Sequence, residues 1–224
     1  MLARSVFITT SLCTTIFGSS IYIPIDSNIN DEINEMAILS NMPITKMPYS
    51  LDMVNEYNQK IKDKDKVLFE KIDKYISKNL KDNLVKEKLE TKISINSGEV
   101  YIPNSHGVSI DSKYELNGQV FYNINDLLKI SIEGSLYEEN DTSKIMTNNS
   151  YLAFGKDWMQ IDAGYRDHYY GAFRNGAMQI SNNAKNSPSI TISNSRPFEF
   201  AKINYEFFYS TFAPKTEQFS SHIS

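Results

Sequence analysis

Residues 201–210 read AKINYEFFYS, and the alternation in this stretch decides the fold class. In an extended chain successive side chains point to opposite faces. Ala201, Ile203, Tyr205, Phe207 and Tyr209 therefore form one row, and Lys202, Asn204, Glu206, Phe208 and Ser210 form the other. The first row is apolar and aromatic; the second is mostly polar.

The same period appears upstream. Leu128, Ile130, Ile132 and Leu136 oppose Lys129, Ser131, Glu133 and Ser135, while Met159, Ile161, Ala163 and Tyr165 oppose Gln160, Asp162 and Gly164. Val120, Tyr122 and Ile124 likewise alternate with Gln119, Phe121 and Asn123. Lysine and glutamate on the inner row point to a wet interior. Strands of about nine to eleven residues, apolar outward and polar inward, are what an outer-membrane barrel requires. A soluble sandwich also alternates, with its polar row in bulk solvent. The aromatic-rich outer rows and an export signal favour the barrel. Residues 91–213 supply about seven or eight strands on this period.

Before residue 91 the period is helical. Leu68, Ile72, Tyr75, Ile76, Leu80, Leu84 and Leu89 recur at three- to five-residue steps and predict a helix from Asp63 to Glu90, with a charged opposite face. A shorter helix is expected over Leu51–Lys62. A first helix, capped by Asp26 or Ser27, carries Asp31 and Glu32 in its first turn. It presents Ile29, Ile33, Met36, Ala37 and Ser40 on one face and ends at Pro43.

Residues 1–20 have the parts of a secretory signal: Arg4, an apolar run from Val6 to Phe17, then Gly18-Ser19-Ser20, with cleavage expected after Ser20. Cys13, the one cysteine, lies inside this segment, so the exported chain forms no disulfide. Leu12 beside it is a poor fit to a lipid-anchoring signal. The chain thus divides into a signal peptide (1–20), a helical region (21–90) and an antiparallel β-barrel segment (91–224). No later stretch approaches the roughly 18 apolar residues of a membrane-crossing helix.

A net charge of -4 and the lack of a basic patch argue against nucleic acid as the main partner. His106, His168 and His222 are far apart, without metal-ligand spacing, and no cofactor motif is present. Asp162 and Asp167, five apart, fall on opposite faces of a strand, which argues against a glycosidase pair. The chain reads as a non-enzyme. Its candidate binding cluster is Arg166, Asp167, His168, Tyr169 and Tyr170, because planar rings stack on sugar faces and charged groups bridge hydroxyls. The competing account has Arg166 and Asp167 as an internal ion pair, with Tyr169 and Tyr170 in an interfacial aromatic girdle. A polar turn follows, Asn182-Asn183-Ala184-Lys185-Asn186-Ser187-Pro188.

The order of these features, from Pro24 through the first helix and Pro48 to the Arg166–Gly171 cluster and the turn ending in Pro188-Ser189, resembles the Wzi-type capsule assembly proteins. The family's cluster carries Arg-Trp-Trp-Gly-Pro after the acid; here it is His168-Tyr169-Tyr170-Gly171-Ala172. The resemblance covers the N-terminal half of that family. It implies a partial antiparallel outer-membrane β-barrel preceded by a small helical bundle at the periplasmic end. It also implies a lectin-like role, attaching capsular polysaccharide at the bacterial surface, with outer-membrane lipid around it. The polysaccharide-binding candidates are then Arg166, Asp167, His168, Tyr169 and Tyr170. Residues 218–224 lack a terminal aromatic strand, so a truncated or fragmentary form is expected. The alternatives are a porin-like channel lined by Lys129, Glu133, Asp162, Lys202 and Glu206, and a soluble periplasmic β-sandwich. Nothing in the sequence specifies an oligomeric state.

Overall fold

The computed structural model describes residues 18–44, 46–81, 84–93, 114–139, 142–171, 186–198, 203–211 and 221–223. Helices come first: α1 (Asn30–Ser40), α2 (Leu51–Gln59) and α3 (Lys66–Lys81). In α1 the residues turned inward are Asn30, Ile33, Met36, Ala37 and Ser40; the last four are on the face the sequence spacing predicts, while Ile29 lies just before the helix and is partly buried. Its ends differ from expectation. Neither Asp26 nor Ser27 caps it; Ile29 precedes the first turn without a side-chain cap. Asn41 closes the helix in the left-handed conformation at φ 56°, before Pro43 is reached. The α2 helix starts on a conventional cap, with Met53 N donating to Ser50 Oγ at 3.2 Å. At α3 the Asp65 carboxylate does the same work, accepting from Leu68 N at 2.9 Å.

The predicted helix to Glu90 is corrected. The α3 helix stops at Lys81, and Leu84–Ile93 is a strand, β2. Leu84 and Leu89, read as helical core positions, are each 63% exposed. A register shift between Lys86 and Lys88 breaks the strand's parity, so no clean two-residue alternation survives in the sequence.

The remaining strands are β3 (Tyr114–Asn123), β4 (Leu128–Glu139), β5 (Thr142–Lys156), β6 (Met159–Gly164), β8 (Ser189–Ser193), β9 (Glu206–Thr211) and β10 (Ser221–Ile223). With β2 they form one eight-stranded antiparallel sheet in the order β10-β9-β8-β6-β5-β4-β3-β2. Among the described residues its two ends, β2 and β10, are not joined to each other, so it is a partial barrel. A separate two-stranded ladder pairs β1 (Lys46–Met47) with β7 (Tyr169–Tyr170), tying the helical region to the loop between β6 and β8.

The sheet's faces are those of a barrel wall. Ile132, Ile145, Ile161, Ile190, Phe207 and Tyr209 are exposed, whereas Ser131, Glu133, Gln160, Asp162, Thr191 and Ser210 are buried. A water-soluble sheet packed on a core would show the reverse. Among the described residues no helix is long and apolar enough to cross a membrane, which says nothing of strands.

The dry core belongs to the helices. Ile23, Ile33, Met36, Leu51, Ile61 and Ile72 pack together, and Phe121 of β3 and Tyr169 of β7 join them from the sheet side. Each such aliphatic side chain contributes about 1.5–3 kcal/mol on burial, so the bundle's own apolar packing seats it on an otherwise polar wall. Residues 19–22 run along that wall as a further strap. Ser19 N donates to Asp126 O at 2.7 Å, and Tyr22 N donates to Tyr151 Oη at 3.0 Å. Gln160 holds Ser20 from both sides: Ser20 N donates to Oε1 at 2.7 Å and Nε2 donates to Ser20 O at 3.0 Å.

Candidate functional site

Strand β6 turns Gln160 and Asp162 inward and ends at Gly164, where φ is +139°. A left-handed residue suits glycine there, and the chain bends back under the sheet, carrying Arg166 into the interior. Arg166 is 2% exposed. One guanidinium nitrogen lies 2.5 Å from Asp162 Oδ2 and the other 2.7 Å from Glu206 Oε2. The Tyr22 ring lies beneath the guanidinium, 3.8 Å from centroid to Cζ. Lys46, from β1, adds a second cation 3.0 Å from Glu206 Oε2. Two carboxylates thus face two cations, the condition under which buried charge is tolerated.

Burial pulls on both cations, with different results. It would lower the Arg166 guanidinium, but Glu206, Tyr22 and Asp162 outweigh it and hold the group above its ordinary value. For Lys46 burial wins: the ammonium is pulled down, with Glu206 opposing. Tyr22, whose ring is enclosed against the wall, has its phenol pushed up by burial.

The far oxygen of Glu206 meets the rest of the cluster. Its Oε1 lies 2.7 Å from His168 Nδ1 and accepts from Tyr170 Oη at 3.0 Å. The imidazole stacks on Phe208 with centroids 3.9 Å apart and planes at 11°, and its Nε2 lies 3.1 Å from Ser189 Oγ.

The five sequence-predicted residues are therefore brought into one region, but in roles that differ from the structural account above. Arg166 pairs with Asp162 and Glu206 rather than with Asp167, because neighbours along an extended chain point apart. Asp167 instead receives Asn186 Nδ2 at 2.7 Å, and its own N–H donates to Asn149 Oδ1 at 3.3 Å. Tyr169 is in the helical core and Tyr170 on Glu206, so neither belongs to an outward aromatic girdle. Asp162 and Asp167 are engaged by different partners, Asp162 by Arg166 and by Gln160, which donates at 2.6 Å. Of the polar turn, Asn182, Asn183, Ala184 and Lys185 lie outside the described residues, as does His106; Pro188 O accepts from Ser210 Oγ at 3.2 Å. Among the described residues no group of His, Cys, Asp and Glu is arranged to hold a metal.

Residues that sequence reasoning did not assign to this site are Tyr22, Lys46 and Ser189. Nothing local marks them, since each arrives from a different element. Beside the network a small cleft of mixed polar and apolar lining is bounded by Tyr22, Lys46, Pro48, Ser50, Met53, Asn194, Ser195 and Asn204, where bundle and wall meet.

The family model described as capsule assembly protein Wzi matches residues 90–221, more than half of the chain. The chain belongs to the Wzi capsule assembly protein family. A solved structure is also similar: Wzi of Escherichia coli, an outer membrane protein involved in group 1 capsule assembly and described as a carbohydrate-binding β-barrel. The likeness has a TM-score of 0.60 at 14% identity, over 87% of this chain and 46% of that one. The present chain thus spans about half the length of this Wzi relative, and what the two demonstrably share is the fold. No curated protein matches the sequence. The Wzi match includes strands β3 to β9 and all of Arg166–Tyr170, whereas α1–α3 and the first part of β2 lie before it.

Proposed function

We propose that this chain is an outer-membrane protein, exported by its N-terminal signal, that holds capsular polysaccharide at the bacterial surface by binding it. The observation that supports this reading most directly is the inverted sheet: Ile132, Ile145 and Phe207 face outward while Glu133, Asp162 and Thr191 are buried. A polar inner face serves a polyhydroxylated ligand, and an apolar outer face serves lipid. The sheet is read as part of the wall of a larger barrel. Arg166, Asp167, His168, Tyr169 and Tyr170 then form the fixed backing of the binding region, held by the bundle on one side and by β6, β8 and β9 on the other.

The soluble sandwich has less support, because its polar row would be the exposed one. A porin-like channel has less support too, since Tyr22 and the bundle lie against the inner face. The test is genetic. Deleting the gene releases capsule into the medium at nearly constant total polysaccharide; capsule that stays attached in the deletion strain refutes the proposal.

A further inference from the structure

Three side chains of the network stand in line. His168 Nδ1 is 2.7 Å from Glu206 Oε1, and His168 Nε2 is 3.1 Å from Ser189 Oγ. A carboxylate at Nδ1 fixes the tautomer that carries its proton there, leaving Nε2 as the acceptor for the serine hydroxyl. Acid, base and hydroxyl then follow the order of a serine hydrolase relay, which is recognised by geometry and not by sequence position. We propose that Ser189, His168 and Glu206 form an acyl-transfer site for carboxylic esters, with Ser189 as nucleophile.

The imidazole is unusually constrained for a residue whose only task would be to fill space. Phe208 stacks against its face, and Glu206 is itself fixed by Arg166 and Lys46 on Oε2 and by Tyr170 on Oε1. Two other contacts compete and both are longer: Gly164 O is 3.3 Å from Ser189 Oγ, and Thr191 Oγ1 is 3.5 Å from His168 Nε2. Ser189 is 5% exposed and belongs to the inward row of β8, so an ester reaches its hydroxyl from the inner side of the wall, at the start of the strand.

The chemistry balances without a cofactor. Ser189 Oγ bonds to the ester carbonyl carbon as its proton passes to His168 Nε2, and the carbonyl electron pair moves onto oxygen. Collapse breaks the bond to the alcohol oxygen, which leaves with the proton from Nε2. Water then adds to the acyl-serine, giving a proton to Nε2; the acid departs and the proton returns to Ser189. Glu206 stays ionised and faces the imidazolium. Because Arg166 and Lys46 share that negative charge, the imidazolium is stabilised less than by a lone carboxylate, and turnover is slow. Acylation of Ser189 is therefore a better readout than steady-state rate. Given the carbohydrate-binding function proposed above, O-acyl groups on a carbohydrate are the esters this site would meet.

The test uses the full chain folded in detergent micelles, a fluorophosphonate probe, and mass spectrometry of the labelled peptide. The wild type takes one label, at Ser189; Ser189→Ala takes none. His168→Asn, which keeps an amide donor toward Glu206, labels at least about 100-fold more slowly, the usual worth of a general base. A folded wild type that is unlabelled, a label on another serine, or a His168→Asn variant as fast as wild type each overturns the proposal. Folding is read independently from the difference in gel mobility between heated and unheated samples. The labelling does not depend on capsule, so it stands or falls apart from the deletion experiment.

Discussion

Arg166 bridges carboxylates from two strands, Asp162 on β6 and Glu206 on β9, and neither has water to fall back on. Arg166→Met leaves Asp162 and Glu206 buried with only Lys46 to balance them, an imbalance that costs roughly 3–5 kcal/mol. The midpoint of urea unfolding should fall accordingly. Arg166→Lys should recover only part of the loss, since an ammonium lacks the planar fork that reaches both partners. Asp52, in the first turn of α2, behaves differently. Burial pushes its carboxyl above the ordinary 3.8, against Arg196 and Lys129. The native state then holds this proton more tightly than the unfolded state. The linked stability is complete below the unfolded value and is lost as pH rises through the folded one. Asp52→Asn is expected to match wild type in acid and to exceed it at neutral pH in denaturant titrations; a variant weaker than wild type at neutral pH contradicts this.

At the level of elements the β5–β6 hairpin depends on its glycines. Gly164 has φ +139°, and an added Cβ would sit 2.3 Å from Ser150 O and 2.7 Å from Tyr151 Cα, both backbone atoms. Gly164→Ala should cost at least about 1–3 kcal/mol of strain. Gly134 in β4 is the control, because nothing lies within 4 Å of its added Cβ; Gly134→Ala should change stability by no more than about 0.5 kcal/mol. Equal midpoints for the two variants would refute the assignment. The strands themselves are legible in the sequence, because parity is a local property: Glu133, Asp162 and Glu206 can be placed inward from their neighbours alone. The β2 strand is not legible, since its register shift erases the parity and Leu84 and Leu89 then continue the helical rhythm of α3. The site is half legible. The cluster from Arg166 to Tyr170 stands out by composition, but its pairing with Glu206, forty residues on in the chain and one strand beyond β8, is a product of sheet order. Tyr22 and Lys46 come from elements whose placement depends on how the bundle seats.

For the whole molecule the decisive question is what touches the outer face. Among the described residues the outer edges of β2 and β10 carry no partner strand, and in hydrocarbon each unpaired backbone group costs several kcal/mol. A wall in lipid therefore needs further strands at both edges, whereas a sheet in water needs none. The chain carries its own reporter for deciding between the two environments. Trp158, the one tryptophan, lies 53% exposed in the turn between β5 and β6. Its backbone oxygen accepts from Tyr205 Oη at 2.7 Å, and Tyr205 stacks on Phe198 at 6.1 Å and tilts toward Phe207 at 5.9 Å. These rings stand where the apolar outer rows give way to Asp157 and Arg196. Amphipathic rings at such a boundary settle at the level of lipid headgroups. In phospholipid vesicles with bromine at known acyl positions, Trp158 emission should be quenched most by bromines nearest the headgroup and progressively less by deeper ones. Quenching strongest at the chain ends would place the turn in the bilayer centre and reverse the depth assignment. Emission unchanged by brominated lipid would mean that this face never meets a membrane, and the inverted sheet would then need a protein partner to cover Ile132, Ile145 and Phe207 instead.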